Sequence, residues 1–176
     1  GTAIVGTISG TSLSFGSEYV FNAANTQFID TVFDPNNANK FVVSYQDYTN
    51  SSYGTAIVGT VSGTSISFGS EAVFNAASTE DTVLDFDPNT ANKFVVAYTD
   101  TANSEHGTAI VGTVSGTSIS FGSEVVFNSS ATYYQSIKFN PNTAGSFVVA
   151  YRDEGSGSGT SIVGTVSGTN ISFGSE

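Results

Sequence analysis

The sequence predicts an all-β protein, and three observations carry that prediction. The 176 residues include 19 Gly, 14 Phe and 8 Tyr with abundant Ser, Thr, Asn and Val, and no Cys, Met or Trp. Such a mixture favours pleated strands joined by tight turns and gives helices little support. Second, one phrase is written four times: GTAIVGTISGTSLSFGSE at 1–18, GTAIVGTVSGTSISFGSE at 54–71 and again at 107–124, and GTSIVGTVSGTNISFGSE at 159–176. Third, the rest of the unit recurs as well. TVFDPNNANKFVVSYQD (31–47), LDFDPNTANKFVVAYTD (84–100) and IKFNPNTAGSFVVAYRD (137–153) are three versions of one hairpin.

Each unit divides into four strand-like runs. The first ends in FDP or FNP. The second, FVVAY or FVVSY, is a short run of strong β-formers expected to be buried on both faces. The third is TAIVGTV and the fourth SISFGSEVVF. Between the first two lies DPNTANK, where Asp-Pro and the Asn cluster favour a turn. Between the last two lies SGTS, a second tight reversal. The unit is therefore a four-stranded antiparallel meander.

Four strands in a period of 52–53 residues is the size of a β-propeller blade. A lone blade has two apolar faces and cannot bury either, so blades must stack. The pairs Leu13/Phe15, Ile66/Phe68, Ile119/Phe121 and Ile171/Phe173 are expected to form one recurring layer between them. The chain then begins in mid-blade: residues 1–21 supply an outer half-blade, and full blades follow at about 27–74, 80–127 and 133–176, all within one repetitive domain. A β-solenoid is the alternative architecture, although its coils are usually shorter. The chain does not begin with Met, and it is expected to be processed or a piece of something longer.

The order S-x-x-F-D-P, K-F-V-V-A-Y-x-D, G-T-A-I-V-G-T-V-S-G-T-S-I-S-F-G resembles a sialidase-type blade. In that family an S-x-D-G-x-x-W box fills the turn between the third and fourth strands. The matching stretch here, Ser115 to Phe121, lacks the Asp and has Phe in place of Trp. The phrase also resembles the long repetitive arrays of marine phage and bacterial surface proteins. That likeness implies an extracellular or virion-surface setting.

Fifteen Asp and Glu against four Lys and Arg give a formal net charge of −11, which repels phosphate backbones and anionic membranes. No apolar run approaches a membrane span, so neither a nucleic acid partner nor membrane insertion is expected. The absence of Cys removes disulfides, thiolate catalysis and Cys-ligated zinc together.

Catalytic constellations fare no better. The resemblance implies an arginine cluster and a Tyr nucleophile, but Arg152 is the single arginine. Asp85 and Asp87 could be sought as a carboxylate pair, yet Asp87 recurs as Asp34 and is replaced by Asn140, as a turn residue would be. DFDPNTAN offers oxygen ligands at alternate positions, but no Glu closes the loop. His106 is the single histidine, expected in an exposed loop, and GSGSG at 155–159 is a flexible turn. The chain is therefore expected to be no enzyme and to hold no metal or cofactor.

What differs between copies is more informative. The turns DPNTANK and SGTS hardly change, whereas 23–31, 76–84 and 129–137 diverge, as do 48–53, 101–106 and 154–158. In an up-and-down blade these two sets of loops share one face. That face would present Gln27, Phe28, Tyr48, Tyr53, Glu80, Asp81, Glu105, His106, Tyr133 and Tyr134. Aromatic rings beside amides and carboxylates suit sugar rings, and equally suit a protein partner.

Two functions follow. One is a non-enzymatic adhesion or receptor-binding module of a virion or cell surface, with a glycan or surface receptor as target. The other is a purely structural repeat, a fibre spacer or self-assembling ring without ligand. Three blades and a half are few for a ring, so self-association is expected, with a two-fold dimer closing a six-bladed ring as the simplest form.

Overall fold

A computed structural model describes residues 1–175; Glu176, on which the last copy of the phrase and the third expected blade end, lies outside the described residues. Among the described residues the strands all pair antiparallel, and the one helical element is a 3-10 turn at Thr101–Asn103. β1 (Thr2–Ser9) and β2 (Ser12–Val20) form a separate two-stranded sheet. The first unit follows as β3 (Thr26–Phe33), β4 (Lys40–Asp47), β5 (Tyr53–Ser62) and β6 (Ser65–Phe68). β7 (Ala72–Phe86), β8 (Lys93–Asp100), β9 (His106–Ser115) and β10 (Ser118–Phe121) come next. The chain ends with β11 (Val125–Phe139), β12 (Ser146–Asp153), β13 (Ser158–Ser167) and β14 (Asn170–Phe173).

The units are fused by their longest strands. β5 pairs with β6 at its far end, Gly59 opposite Phe68, and with the start of β7 at its near end, Ala56 opposite Ala72. Those two pieces make one interrupted fourth strand. β7 then carries on, and from Thr79 to Phe86 it pairs with β8 as the first strand of the next unit. β11 does the same between the second and third units. The variable stretches 76–84 and 129–137, expected as loops, are therefore strand. They bend instead, through register shifts between Glu80 and Val83 and between Tyr133 and Ser136. The sheet is open: β3 and β14 end the path without closing on each other.

The constant turns are held by local chemistry. Asp34 Oδ1 accepts from Asn36 N at 2.8 Å, Asp87 Oδ1 from Asn89 N at 2.9 Å, and Asn140 Oδ1 from Asn142 N at 2.9 Å. A carbonyl-type oxygen two residues upstream is what this bond requires, and Asn140 supplies it as Asp does; the second oxygens of Asp34 and Asp87 accept in addition from Asn37 Nδ2 and Gly145 N. In the SGTS reversals Gly63 and Gly116 take φ of 61° and 64°, which a side chain would strain.

The core lies between units. One apolar cluster joins the β1–β2 pair to the first unit, a second joins the first and second units, and a third joins the second and third. Each junction carries the same aromatic set. Phe74 packs on Tyr98 (5.1 Å between centroids) and Phe121 (5.8 Å), and Phe94 meets Phe121 edge-on at 6.1 Å. Phe21, Tyr45, Phe68 and Phe41 repeat this in the first unit, and Phe127, Tyr151, Phe173 and Phe147 in the third. The phrase supplies a glycine under each strand-two ring. A Cβ at Gly59, Gly112 or Gly164 would lie 2.1 Å from Phe41, Phe94 or Phe147.

Hydrogen bonds stitch the same junctions. Asp30 Oδ2 accepts from Leu84 N and Asp85 Oδ2 from Phe139 N, both at 2.8 Å. Asp85, sought above as half of a carboxylate pair, also meets Lys138 at 3.2 Å. Both are junction contacts.

Two expectations fail at the ends of the array. The recurring layer breaks at its first copy: Leu13 and Phe15 are 58% and 63% exposed, whereas Ile66 is 7% exposed. Phe68 packs edge-on against Phe41 of β4, whereas β1 has no second-strand neighbour among the described residues. The second strand is buried on both faces in β4 and β8 but alternates in β12, where Val148 is exposed because no fourth unit covers it.

Candidate binding edge

Strand register sets which loops share an edge. Thr26 lies opposite Asp47 at one end of β3 and β4, and the backbone N–H of Tyr48 donates to Asn25 O at 3.1 Å. Thr132 N likewise donates to Glu105 O, and Glu154 N to Ala131 O. The variable stretches are thus neighbours along one edge of the sheets. On the opposite edge the constant turns meet, as Val61 N donates to Asn39 O and Val114 N to Asn92 O.

At the bulge of each first strand one residue takes a left-handed backbone. Phe28, Asp81 and Tyr134 have φ of 48°, 47° and 55° and occupy the same position in successive units. Unbranched at Cβ but not glycine, they store backbone strain that the surrounding ladder holds in place. Tyr134 N donates to Asp81 Oδ2 at 3.1 Å, and Thr82 Oγ1 donates to Phe28 O at 2.5 Å. The three bulges share a shallow hollow of about 180 Å³, floored by Thr82, Val83 and Gln135.

Beside this hollow stands a carboxylate cluster. Tyr133 Oη donates to Glu105 Oε2 at 2.6 Å, and its ring lies 6.4 Å from that of Tyr134. Held chiefly by that hydrogen bond, the Tyr133 hydroxyl is pushed up to about 12. Partial burial, then the charges of Asp81 and Glu105, raise the Glu80 carboxyl above its ordinary value.

Glu80, Asp81, Glu105, Tyr133 and Tyr134 therefore form one constellation spanning the second and third units, and Phe28 joins it through the shared hollow. Gln27 lies on the same edge, exposed, opposite Gln46. Tyr48 and Tyr53 flank the edge in the first unit, Tyr48 being 57% exposed. His106 is a correction. It is the first residue of β9, half-buried and opposite Asp100, rather than an exposed loop residue.

Sequence reasoning missed what lies beneath. Gln135 is buried, donates through Nε2 to Thr99 Oγ1 at 2.9 Å, and leaves Oε1 without a protein partner. Thr82, at the equivalent position, is buried and bonded to Ser44 at 3.2 Å. The available signal was a polar residue on the inward phase of a strand. Arg152 pairs with Glu154 at 2.8 Å beside the cluster. Compared with models of known protein families, with curated proteins and with solved structures, the chain has no match.

Proposed function

We propose that this chain is a non-enzymatic binding module: a propeller-type array that presents its variable edge to a glycan or receptor on a surface. The single observation behind this reading is where variation falls. Junction rings, glycines and constant turns repeat from unit to unit, while aromatic and carboxylate residues that differ between copies collect at one edge. The propeller-type reading draws on the long strands that pass from the outside of one unit to the first position of the next. An extracellular or virion setting follows from the resemblance of the repeated phrase to surface arrays. Among the described residues no helix is long and apolar enough to cross a membrane.

The edge also favours a chemistry. Glu80, Asp81, Glu105 and Glu154 would repel an anionic sugar, while exposed tyrosines stack on sugar C–H faces and carboxylates accept from hydroxyl or amino groups. A neutral or amino-bearing glycan fits best. Glycan-array binding that is lost in Tyr133→Ala and Tyr134→Ala, with unchanged circular dichroism, is the expected result. No binding across neutral, amino-bearing and anionic glycans would overturn the reading.

A second reading, a self-assembling structural repeat, has its own observation. The junction contacts are stereotyped, and both ends of the array expose faces that are buried elsewhere. Self-association, simplest as a two-fold dimer of six blades, belongs to either reading.

A further inference from the structure

The four copies of the phrase differ in one structural respect. β5, β9 and β13 each have a second-strand neighbour, with Phe41 opposite Gly59, Phe94 opposite Gly112 and Phe147 opposite Gly164. β1 pairs with β2 alone among the described residues. Along its free side runs an apolar groove of about 380 Å³, lined by Ile4, Gly6, Ile29, Phe33 and Val43 among others. At Gly6 no strand-two ring is present. A Cβ there would meet Phe15 at 3.4 Å, an ordinary contact, instead of a ring at 2.1 Å. Leu13 and Phe15, whose counterparts are covered, face solvent beside it.

We propose that the free edge of β1 accepts the β11–β12 hairpin of a second copy of this chain, with 1–20 of one copy taking the place of 159–176 of the other. The two segments are close to interchangeable: over 1–18 and 159–176 they differ at Ala3/Ser161, Ile8/Val166, Ser12/Asn170 and Leu13/Ile171. The first difference gives the exchange its direction. At the two internal junctions this position is Ala56 and Ala109, both fully buried and apolar. Ser161 is exposed, and it would bury a hydroxyl if the third unit were covered by another. Ala3 matches the buried form. The amino-terminal copy of the phrase therefore suits a covered junction better than the carboxy-terminal copy does.

Exchange places Val5 of one copy opposite Val148 of the other, as Val163 is now. It sets a Phe147 ring over Gly6 and covers Leu13 and Phe15. Two such contacts make the reciprocal dimer. The proposal rests on the self-association reading above and names its contact; it is independent of what the variable edge binds.

Sedimentation velocity over micromolar concentrations tests it with three proteins. Wild type is expected to form a two-chain species. Gly6→Val, sterically allowed in one chain but blocked under a Phe ring, is expected to lose that species while keeping its circular dichroism. In the Cys-free background, V5C/V148C is expected to yield an interchain disulfide on oxidation, which neither single variant gives to the same extent. A wild type that stays monomeric would overturn self-association itself. A Gly6→Val protein that associates like wild type, or a double variant that cross-links no better than the singles, would overturn the edge alone.

Discussion

The carboxylate of Asp85 accepts the backbone N–H of Phe139 at 2.8 Å, one unit further along the chain. Asp30 does the same for Leu84. A backbone donor on the first strand of the second and of the third unit is thus satisfied by the unit before it. Removing the acceptor leaves that donor unpaired in a buried setting. Asp85→Ala is expected to cost about 1.5–3 kcal/mol in denaturant unfolding, as loss of a charge-assisted hydrogen bond does. Asp81→Ala, whose donor Tyr134 N is exposed, is expected to cost well under that.

The aromatic junctions make a sharper contrast. Phe94 is fully buried between units, whereas Phe15 is 63% exposed. Phe94→Ala is expected to cost about 3–5 kcal/mol, and Phe15→Ala about 1 kcal/mol or less. Equilibrium melts in urea at low protein concentration separate the two.

Acidity at the variable edge gives a pH prediction. Folding raises the Glu80 carboxyl, so the folded chain holds a proton that the unfolded chain has released. This group therefore lowers stability as pH rises through its ordinary value of 4.5 and leaves it lower at neutral pH. Glu80→Gln is expected to melt higher than wild type at pH 7, with the difference closing well below pH 4.5. Thermal melts across that range check both the direction and the window.

Tyr133 reports on the same cluster. Its hydroxyl is pushed up to about 12 mainly because it donates to Glu105. Glu105→Gln is expected to bring it back towards 10.0, followed through its ring resonances in a high-pH NMR titration. An unchanged midpoint would show that the hydrogen bond does not form in solution.

Much of this architecture was legible in the sequence because repetition reports it directly. The Asp34, Asp87 and Asn140 turn was readable from its substitution pattern, since only an acceptor oxygen is needed. The placement of Glu105 beside Tyr133 was not readable. It depends on the bulge at Tyr133 and Tyr134, where the chain takes a left-handed residue that no glycine advertises. The exposure of Leu13 and Phe15 was hidden for another reason. Their local sequence is nearly that of the covered copies, and exposure is decided by whether a second-strand neighbour such as β4 lies beside them. Gln135 escaped notice because its siblings at this position, Ile29 and Thr82, share no chemistry with it.

Gly6 and Gly112 hold the same place in the same phrase, and they test most directly the claim that context between units sets the energetics. Under Gly112 lies the Phe94 ring, 2.1 Å from where a Cβ would stand; at Gly6 the nearest atom is 3.4 Å away. Denaturant unfolding of Gly112→Val and Gly6→Val, at concentrations low enough to keep the chain monomeric, compares them. A loss of about 2–3 kcal/mol or more is expected for Gly112→Val, from overpacking, and a change within about 0.5 kcal/mol for Gly6→Val. Equal losses at the two glycines would contradict that claim.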